Sequence, residues 1–479
     1  MPLTGAATAD RRRVDGLIEE VVRVVGARHV LVGEDLVPFL TDQTGMLRGR
    51  AVACVRPGRT GEVADVVRLA TRHSVPIVPQ GGNTGLCGGA TPDGGGRALV
   101  LSLQRLNRIR SIDRENDSIV VEAGCRQETV HEAVRAAGRL FPLSLPSRGT
   151  CTIGGNLATN AGGVQVLRYG TARQLTLGIE VVTADGEIWD GLRDLRKDNT
   201  GYDLRDLYIG SEGTLGIITA ASLRLFPLPR QEETAFAALP SIEAALAFLG
   251  LARARLGELL TSFELIAATS LALVARHLPE MPLPYGAASF TAPWHVLVQA
   301  SGDANVAERL EATLAEGLQA GHLIDAVVAR SLAQARELWT VREGGLGEAM
   351  RRAGGAIGHD VSITVSRIPK FLSDAEARLR EQWPDVLIAV HGHLGDGNLH
   401  YNVLLPPQQR TADAAQRVHR MVYDSVAELA GSFSAEHGIG QIKTDELRRY
   451  KSSVELGLMR AIKMALDPKG LMNPGKVLI

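Results

Sequence analysis

Apolar and polar positions in the first half of the chain follow two different periods. Residues 14–26 and the segment TGEVADVVRLATRHSV repeat apolar positions every three to four residues, which predicts two helices, the second with Thr60 as its N-cap. Short apolar runs predict strands at AVACVRP, VPIVPQ, ALVLSL, SIVVEAG and LGIEVVTADGEIWD. This succession predicts an α+β domain that ends near residue 228.

The second half begins after LFPLPRQEET, where two prolines and a charged run indicate a boundary. Residues 240–280 are predicted to be mostly helical, whereas WHVLVQAS and VLIAVHGH predict strands of a second sheet. The segment TADAAQRVHRMVYDSVAELAG predicts a helix that ends at Gly431, before a turn-rich tail. We therefore divide the chain into an N-terminal helical segment (1–46), a first domain (47–228), a second domain (229–430) and a C-terminal segment (431–479).

Length and charge restrict the class of protein. A chain of 479 residues is too long for one ordinary core. With 52 basic and 53 acidic residues the net charge is −1, which argues against binding to nucleic acid. No run of 18 apolar residues exists, so we expect no transmembrane segment and a cytoplasmic location, with peripheral association with the inner membrane as the alternative.

The four cysteines are Cys54, Cys87, Cys125 and Cys151, and no two of them have CxxC spacing. We therefore expect reduced thiols and no zinc site built from thiolates.

Three glycine-rich segments follow predicted strands: PQGGNTGLCGGATPDGGG (79–96), SRGTCTIGGNLATNAGGVQVLRYG (147–170) and YIGSEGTLGIIT (208–219). The chain contains neither GxGxxG nor GxxxxGK[ST], so the Rossmann and P-loop signatures do not apply. Glycines nevertheless leave backbone N–H groups open to an anion and let the chain approach it closely. Surface loops are the other interpretation, but three such segments in one domain favour a phosphate-binding site.

The histidines of HGHLGDGNLH suggest a metal site. Gly395 and Gly397 argue against a helix, whereas a strand–turn–strand hairpin would bring His393 and His400 together. Two imidazoles and a carboxylate such as Glu436 of SAEHGIG form the ligand set of an open catalytic zinc site. The same set occurs in iron oxygenases, and histidines of a polar turn are a third interpretation.

Five segments together resemble one flavoprotein family: PQGGNTGLCGG, GTCTIGGNLATNAGG, KDNTGYDLRDLYIGSEGTLGIIT, HGHLGDGNLH and SAEHGIG. This is the family of D-2-hydroxyglutarate dehydrogenase, D-lactate dehydrogenase and the glycolate oxidase FAD subunit, and the resemblance covers residues 50–479. It implies an α+β protein with a two-subdomain FAD-binding domain of the vanillyl-alcohol oxidase type at 47–228. The substrate or cap domain at 229–430 would contain an antiparallel sheet, and a helical C-terminal segment at 431–479 would complete the active site and the FAD pocket.

The resemblance also implies which residues bind FAD. The first glycine-rich loop would hold the pyrophosphate, the second would follow the ribityl chain and the isoalloxazine, and the third would complete the pocket. Because residues 79–96 contain no histidine, we expect FAD to be bound non-covalently. The implied contacts are Gln80, Gly81, Gly82, Asn83, Thr84, Gly85, Leu86, Gly88, Gly89, Gly149, Thr150, Gly154, Gly155, Asn156, Thr159, Asn160, Gly163, Glu212, Gly213, Gly216, Ile218 and Asn473.

By the same resemblance, a divalent metal (zinc or manganese) binds His393, His400 and Glu436, and His437 is the general base. Imidazoles titrate near neutral pH, as proton abstraction from a hydroxyl requires. The carboxylate and hydroxyl of a D-2-hydroxy acid would chelate the metal. His437 would remove the hydroxyl proton while the C2 hydrogen passes as hydride to flavin N5, which gives the 2-keto acid. His391 has no counterpart in the family and is expected to support the metal ligands or to be structural.

Two further residues resemble substrate contacts of the family. Arg342 lies on the predicted helix ELWTVREG, and a guanidinium fork suits a carboxylate. Asn402 is two residues past His400 and should share its strand face, with Tyr401 pointing away.

The chain departs from the 2-hydroxyglutarate enzymes at two positions. Gly358 stands where they carry a lysine, and Leu346 aligns with a threonine of their arginine-bearing helix. Both groups help to hold the distal carboxylate, so we expect a smaller or more apolar D-2-hydroxy acid unless Arg351 or Arg352 compensates.

Several alternatives stay open. The enzyme could be a D-2-hydroxyglutarate dehydrogenase or an oxidase of the glycolate or D-lactate type. Two hypotheses assign the chain to other classes of protein: an iron oxygenase without flavin, and a non-catalytic FAD-binding subunit. The electron acceptor (a quinone, a cytochrome, an electron-transfer flavoprotein or oxygen) and the oligomeric state, including a homodimer, are not fixed by the sequence.

Overall fold

The structure is a computed structural model that describes residues 3–284 and 292–478, with the backbone alone over residues 3–12. Up to Pro227 the chain forms these helices and strands: α1 (Leu3–Val25), β1 (Val30–Leu31), β2 (Ala51–Val55), α2 (Thr60–Arg72), β3 (Ile77–Gln80), β4 (Ala98–Ser102), β5 (Ile109–Asp113), β6 (Ser118–Glu122), α3 (Gln127–Ala136), β7 (Arg139–Leu140), α4 (Ile153–Ala158), α5 (Val166–Tyr169), β8 (Thr176–Thr183), β9 (Ile188–Gly191), α6 (Leu204–Tyr208), β10 (Gly216–Arg224) and β11 (Phe226–Pro227).

The remaining elements form the second half of the molecule. They are β12 (Gln231–Leu239), α7 (Ile242–Leu256), β13 (Leu260–Ala267), α8 (Ala268–His277), β14 (Trp294–Gly302), α9 (Val306–Gln319), β15 (Asp325–Val328), α10 (Leu332–Thr340), α11 (Leu346–Arg352), β16 (Ile357–Ser362), α12 (Ile368–Gln382), β17 (Leu387–His393), β18 (Asn398–Leu404), α13 (Ala412–Glu428), α14 (Thr444–Tyr450) and α15 (Ser453–Leu466). Among the described residues, none of the helices is long and apolar enough to pass through a bilayer.

The first half contains two main sheets. One has the order β1-β2-β4-β3, with β2, β4 and β3 parallel and α2 as the crossover between β2 and β3. The apolar face of α2, which includes Val63, Val66 and Val67, is buried against this sheet. The other sheet is antiparallel, with the order β5-β6-β10-β8-β9. The first glycine-rich segment leaves the carboxyl end of β3, and the second and third flank the second sheet.

The second half is built on one sheet with the order β15-β12-β14-β13-β17-β18-β16, in which neighbouring strands are antiparallel. A large apolar core that includes Phe248, Phe263 and Phe371 lies between this sheet and its helices. The predicted α+β fold with an antiparallel sheet in the second half is confirmed.

The tail returns to the first sheet. Asp467 is buried after α15 and accepts hydrogen bonds from the backbone N–H groups of Leu471 (3.1 Å) and Met472 (2.9 Å). This turn aligns the tail with Ile77 of β3, whose carbonyl accepts a hydrogen bond from the N–H of Asn473 (2.8 Å). The C-terminal segment thereby reaches the glycine-rich loops.

Four local predictions were wrong. Helix α1 begins at Leu3 rather than at residue 14, and α13 ends at Glu428 rather than at Gly431. The N-cap of α2 is Arg59, because the Thr60 hydroxyl donates instead to Glu180 Oε1 at 2.6 Å. The fourth correction concerns residues 260–267, which form the central strand β13 between β14 and β17 rather than a helix. This apolar run is buried along its whole length, and such runs do not distinguish strand from helix by period.

Candidate active site

One cavity of about 440 Å³ lies where the three glycine-rich loops meet the β17–β18 hairpin and the segment after α13. Its wall includes most of the residues predicted to bind FAD, together with Arg342, His393, His400, Glu436 and His437. Sequence reasoning missed other lining residues, among them Gln43, Thr152, Tyr208 and Glu343. The predicted residues that do not line it are Gly88, Gly149, Thr150, Asn160, Asn402 and Asn473.

The first two loops are in backbone contact, which explains two of their glycines. A Cβ atom at Gly81 would lie 2.3 Å from Thr152 Oγ1, and one at Gly82 would lie 2.2 Å from the Thr150 carbonyl oxygen. Thr150 therefore supports the loop from behind. A side chain at either glycine would push the loops apart and change the shape of the cavity.

Asn473 joins the first and third loops from behind the cavity wall. Its side-chain Nδ2 donates to the carbonyl oxygens of Gly89 (2.9 Å) and Glu212 (2.7 Å), and the residue is buried. Its Oδ1 atom is buried without a hydrogen-bond partner among the described residues. Such a group generally has a partner, so an additional donor is expected beside it.

The predicted hairpin exists and gathers imidazoles on one face. In the β17–β18 register, His391 lies opposite His400, and the His393 and His400 ring centroids are 5.7 Å apart. Gly397 makes the turn possible, since its φ is +85° and a Cβ there would lie 2.3 Å from the Ile363 carbonyl oxygen. His391 is buried, packs its ring 5.0 Å from that of His400, and has no partner at Nδ1 among the described residues.

Glu436 brings a carboxylate to this pair. Its Oε2 atom lies 3.6 Å from His393 Nε2 and 3.8 Å from His400 Nε2, whereas its Oε1 accepts a hydrogen bond from the N–H of Gly163 at 2.7 Å. Ligand atoms about 2.1 Å from a tetrahedral zinc lie about 3.4 Å apart, so the three side chains fit one small cation. Asp360, His400 and His437 also place a potential ligand atom each within 4.8 Å of one another.

The second grouping is the weaker one, because Asp360 already uses its carboxylate. Oδ2 accepts hydrogen bonds from the N–H groups of Ala435 (3.1 Å), Glu436 (2.8 Å) and His437 (2.9 Å). Oδ1 accepts one from Asn398 Nδ2 at 2.9 Å. The donor set of His393, His400 and Glu436 is therefore the better candidate for a metal.

The charges of these groups suit that assignment. Burial lowers the pKa of His400 to about 4, which keeps its imidazole neutral. Burial opposes the charged form of Glu436, but His393 and His400 outweigh it and hold the pKa of its carboxyl well below the usual range. Burial likewise opposes protonation of His393, yet Glu264 and Glu436 raise its pKa well above the ordinary value. A cation at Nε2 would take the place of that proton.

His437 lies on the same cavity wall as the possible metal ligands. Its ring stacks on that of His400 at 5.7 Å, its side chain is 30% exposed, and its Nδ1 is 3.7 Å from Asp360 Oδ2. It is thus open to a molecule in the cavity, as a proton acceptor must be.

Arg342 is paired with a carboxylate that sequence reasoning missed. It lies in a π-helical turn between α10 and α11, and its Nε and Nη2 atoms are 2.8 and 2.7 Å from Glu264 Oε2. The other oxygen of Glu264, on β13, lies 2.8 Å from His393 Nδ1. One buried carboxylate therefore fixes both a possible metal ligand and the predicted substrate arginine.

Asn402 is less available than expected. It shares a face of β18 with His400, but its Nδ2 donates to the carbonyl oxygens of Ala389 (3.2 Å) and His400 (3.1 Å). Tyr401 points to the opposite face, as predicted, and packs against Phe371.

The positions that depart from the 2-hydroxyglutarate enzymes also lie away from the cavity lining. Leu346 is 1% exposed within an apolar cluster, and Gly358 is an exposed residue of β16. Arg351 and Arg352 both bind Glu348 on the outside of α11. Among the described residues, Arg342 is the one arginine or lysine that lines the cavity.

Comparisons with known proteins match both halves of the chain. Residues 228–477 match the family model "FAD linked oxidases, C-terminal domain", and residues 51–191 match "FAD binding domain". A D-2-hydroxyglutarate dehydrogenase of Xanthomonas citri pv. viticola is 39% identical over 92% of this chain and 92% of its own length. The mitochondrial D-2-hydroxyglutarate dehydrogenase of Bos taurus is 39% identical over 95% of this chain and 82% of its own length. The chain belongs to the family of FAD-linked 2-hydroxy acid dehydrogenases.

Solved structures agree with the fold of this family. A p-cresol methylhydroxylase structure has a TM-score of 0.76 at 19% identity, over 97% of this chain and 96% of that one. A 4-ethylphenol oxidase from Gulosibacter chungangensis has a TM-score of 0.73 at 20% identity, over 98% and 97%. At these identities the likeness shows the vanillyl-alcohol oxidase-type fold alone.

The cavity fits the FAD of this dehydrogenase family. Its loop walls are rich in glycine, which lets the backbone approach a bound cofactor closely. The thiol in the first loop, Cys87, donates to the Gly438 carbonyl oxygen at 3.4 Å, and burial raises its pKa to about 11. The thiol is therefore poorly suited to attack a flavin.

Proposed function

We propose that this dehydrogenase oxidises a D-2-hydroxy acid to the 2-keto acid and requires a divalent metal, zinc or manganese, held by His393, His400 and Glu436. The observation that carries the proposal is the convergence of these three side chains, His437 and Arg342 on the wall of the cavity that the FAD-binding loops line. The metal-ligand set alone would also allow a flavin-free oxygenase, but such an enzyme would not explain why residues 51–191 match an FAD-binding domain.

Each side chain has one task in this reaction. The glycine-rich loops would hold FAD, which would supply the hydride acceptor for the C2 hydrogen, and His393, His400 and Glu436 would hold a metal that would supply a Lewis acid. His437 accepts the hydroxyl proton, since its ring is open to the cavity and stacks on His400. Arg342 binds a carboxylate of the substrate, and Glu264 keeps its guanidinium in place.

Two substrate classes remain, and different observations favour them. The names of the relatives favour D-2-hydroxyglutarate. The lining favours an acid with a short or apolar side chain, because Arg342 is the one arginine or lysine among the described lining residues, whereas Arg351 and Arg352 bind Glu348 outside the cavity. We propose the second class, since burying an unpaired second carboxylate costs several kcal/mol.

The test is anaerobic mixing of the purified protein with a panel of D- and L-2-hydroxy acids while flavin absorbance is followed. We expect D acids to bleach the flavin and L acids to leave it oxidised, because the base and the carboxylate-binding arginine have fixed positions around C2. A metal-loaded, FAD-loaded protein that no 2-hydroxy acid reduces would refute the proposed function. Bleaching that survives complete removal of the metal would refute the metal requirement alone.

A further inference from the structure

Residues 434–441, the Glu-His loop, carry Glu436 and His437 outside any helix or strand. Side-chain roles as demanding as metal ligand and proton acceptor need a fixed backbone, because a shift of about 1 Å can cost about 100-fold in rate. The loop therefore needs support from outside itself, and two buried carboxylates supply it.

Asp360 supports the first part of the loop from the second half of the molecule. Its side chain is 1% exposed, and the N–H groups of residues 435, 436 and 437 converge on its Oδ2 at 2.8–3.1 Å. Convergence of consecutive backbone N–H groups on one oxygen fixes the backbone around both functional side chains. Nδ2 of Asn398 in turn donates to Oδ1 of Asp360 at 2.9 Å and to the Val361 carbonyl oxygen at 3.0 Å.

Glu212 supports the second part of the loop from the FAD-binding half. Its Oε1 accepts a hydrogen bond from the N–H of Ile439 (2.7 Å) and its Oε2 accepts one from the N–H of Gly440 (2.8 Å). Close approach requires the loop glycines, because a Cβ at Gly438 would lie 2.7 Å from Glu212 Oε1. Glu212 was predicted as an FAD contact, yet both of its carboxylate oxygens are used by the Glu-His loop.

We propose that Asp360 and Glu212 are positioning residues, one from each half of the molecule, that together set Glu436 against the two imidazoles and His437 against the cavity. The inference rests on the proposed roles of Glu436 and His437. It assigns Glu212 to the loop rather than to the cofactor. It also makes the site depend on both halves of the molecule, since removal of either carboxylate removes the hydrogen bonds that hold one part of the loop in place.

Two nearly isosteric substitutions separate charge from shape. In Glu212→Gln a single oxygen replaces the two that the N–H groups of Ile439 and Gly440 use. In Asp360→Asn a neutral amide oxygen replaces the charged one that the three N–H groups share, and the new NH2 group faces Nδ2 of Asn398, which is also a donor. Glu212→Gln should therefore loosen residues 439–440, and Asp360→Asn should loosen residues 435–437.

Hydrogen exchange of the FAD-bound protein tests the anchoring without any turnover. We expect the amides of residues 435–437 and 439–440 to be protected in the wild type and to exchange at least about tenfold faster in the matching variant, since each loses a charge-assisted hydrogen-bond partner. Glu122→Gln is the matched control, because Glu122 is also buried and accepts a backbone N–H, that of Arg108 at 2.9 Å, but on the antiparallel sheet of the first half. It should leave exchange in residues 434–441 unchanged.

Flavin reduction by a saturating 2-hydroxy acid tests the positioning. We expect the first-order reduction rate to fall about 100-fold in both variants while FAD content and the KM for the acid change little. The control should keep the wild-type reduction rate. If only one variant folds, its exchange and reduction rates still show whether the carboxylate that it lacks anchors the loop.

Unprotected amides in the wild type, or wild-type exchange and reduction rates in both variants, would overturn the inference. So would a loss of rate that only mirrors loss of FAD. If no 2-hydroxy acid reduces the wild type, the proposed function fails, whereas the exchange data still decide whether the two carboxylates anchor the loop.

Discussion

Replacing Glu264 with glutamine tests how much the active site depends on one buried carboxylate. Glu264 is 1% exposed and bonds His393 Nδ1 at 2.8 Å and Arg342 Nε at 2.8 Å. Glutamine has nearly the same shape, but it is neutral and has one acceptor for two donors. Its NH2 group must then face either the imidazole or the guanidinium.

The expected magnitudes follow from these contacts. A carboxylate behind a metal-ligating histidine typically contributes 10–100-fold to metal affinity, or about 1.4–2.7 kcal/mol. Arg342 is 8% exposed, and removal of one partner from a buried ion pair costs about 3–5 kcal/mol of stability. Because glutamine keeps one hydrogen bond, we expect values near the lower end of both ranges.

Metal affinity is measured by competition with a chromogenic chelator, and stability by chemical denaturation of the same preparation. Glu232→Gln is the matched control, because Glu232 lies on β12 of the same sheet and bonds the neutral Gln299 at 2.7 Å, away from the cavity. The control should retain wild-type metal affinity. Unchanged metal affinity in Glu264→Gln would refute the role of Glu264 behind the metal.

The remaining predictions concern the metal, the flavin, the substrate and pH. His400→Ala should lose the metal and keep the flavin spectrum. Chelation should abolish turnover while FAD stays bound, and turnover in a sample that metal analysis shows to be metal-free would contradict this. Acid precipitation should release the yellow colour, and colour retained on the denatured chain would show covalent FAD. D-lactate-like or longer apolar acids should exceed D-2-hydroxyglutarate in kcat/KM by about tenfold, which needs only about 1.4 kcal/mol of differential binding; the opposite order would mean that another basic group holds the second carboxylate. Burial, with His419 beside it, lowers the pKa of His359 to about 3, whereas an unfolded imidazole titrates near 6.5, so the unfolded chain takes up the proton first. The contribution of neutral His359 to the free energy of unfolding is therefore fully present above pH 6.5 and falls toward lower pH, by up to about 1.4 kcal/mol per pH unit. Denaturation curves between pH 6.5 and 5 should show that the free energy of unfolding of His359→Asn depends less steeply on pH than that of the wild type, and equal slopes would contradict this.

Local signals made part of the architecture predictable. Gly395 and Gly397 between two apolar runs predict a hairpin, and the strands β17 and β18 form it. The glycine-rich loops are likewise visible, because their backbones pack where a Cβ would clash, as at Gly81 and Gly82. Strand β13 was not predictable by period, since it is buried on both faces and its residues show no alternation.

The residues that orient the site were missed for a related reason. Asp360 and Glu264 act through partners far away in sequence, and no local pattern shows that Asp360 will meet the N–H groups of residues 435–437. Even so, Glu264 had one signal of its own. It is the single charge in the apolar run LLTSFELIAA, and a carboxylate buried in such a run must be paired with a cation or another donor. A lone acid in an apolar strand therefore predicts a partner, and the structure supplies two: His393 on the β17–β18 hairpin and Arg342 in the turn between α10 and α11.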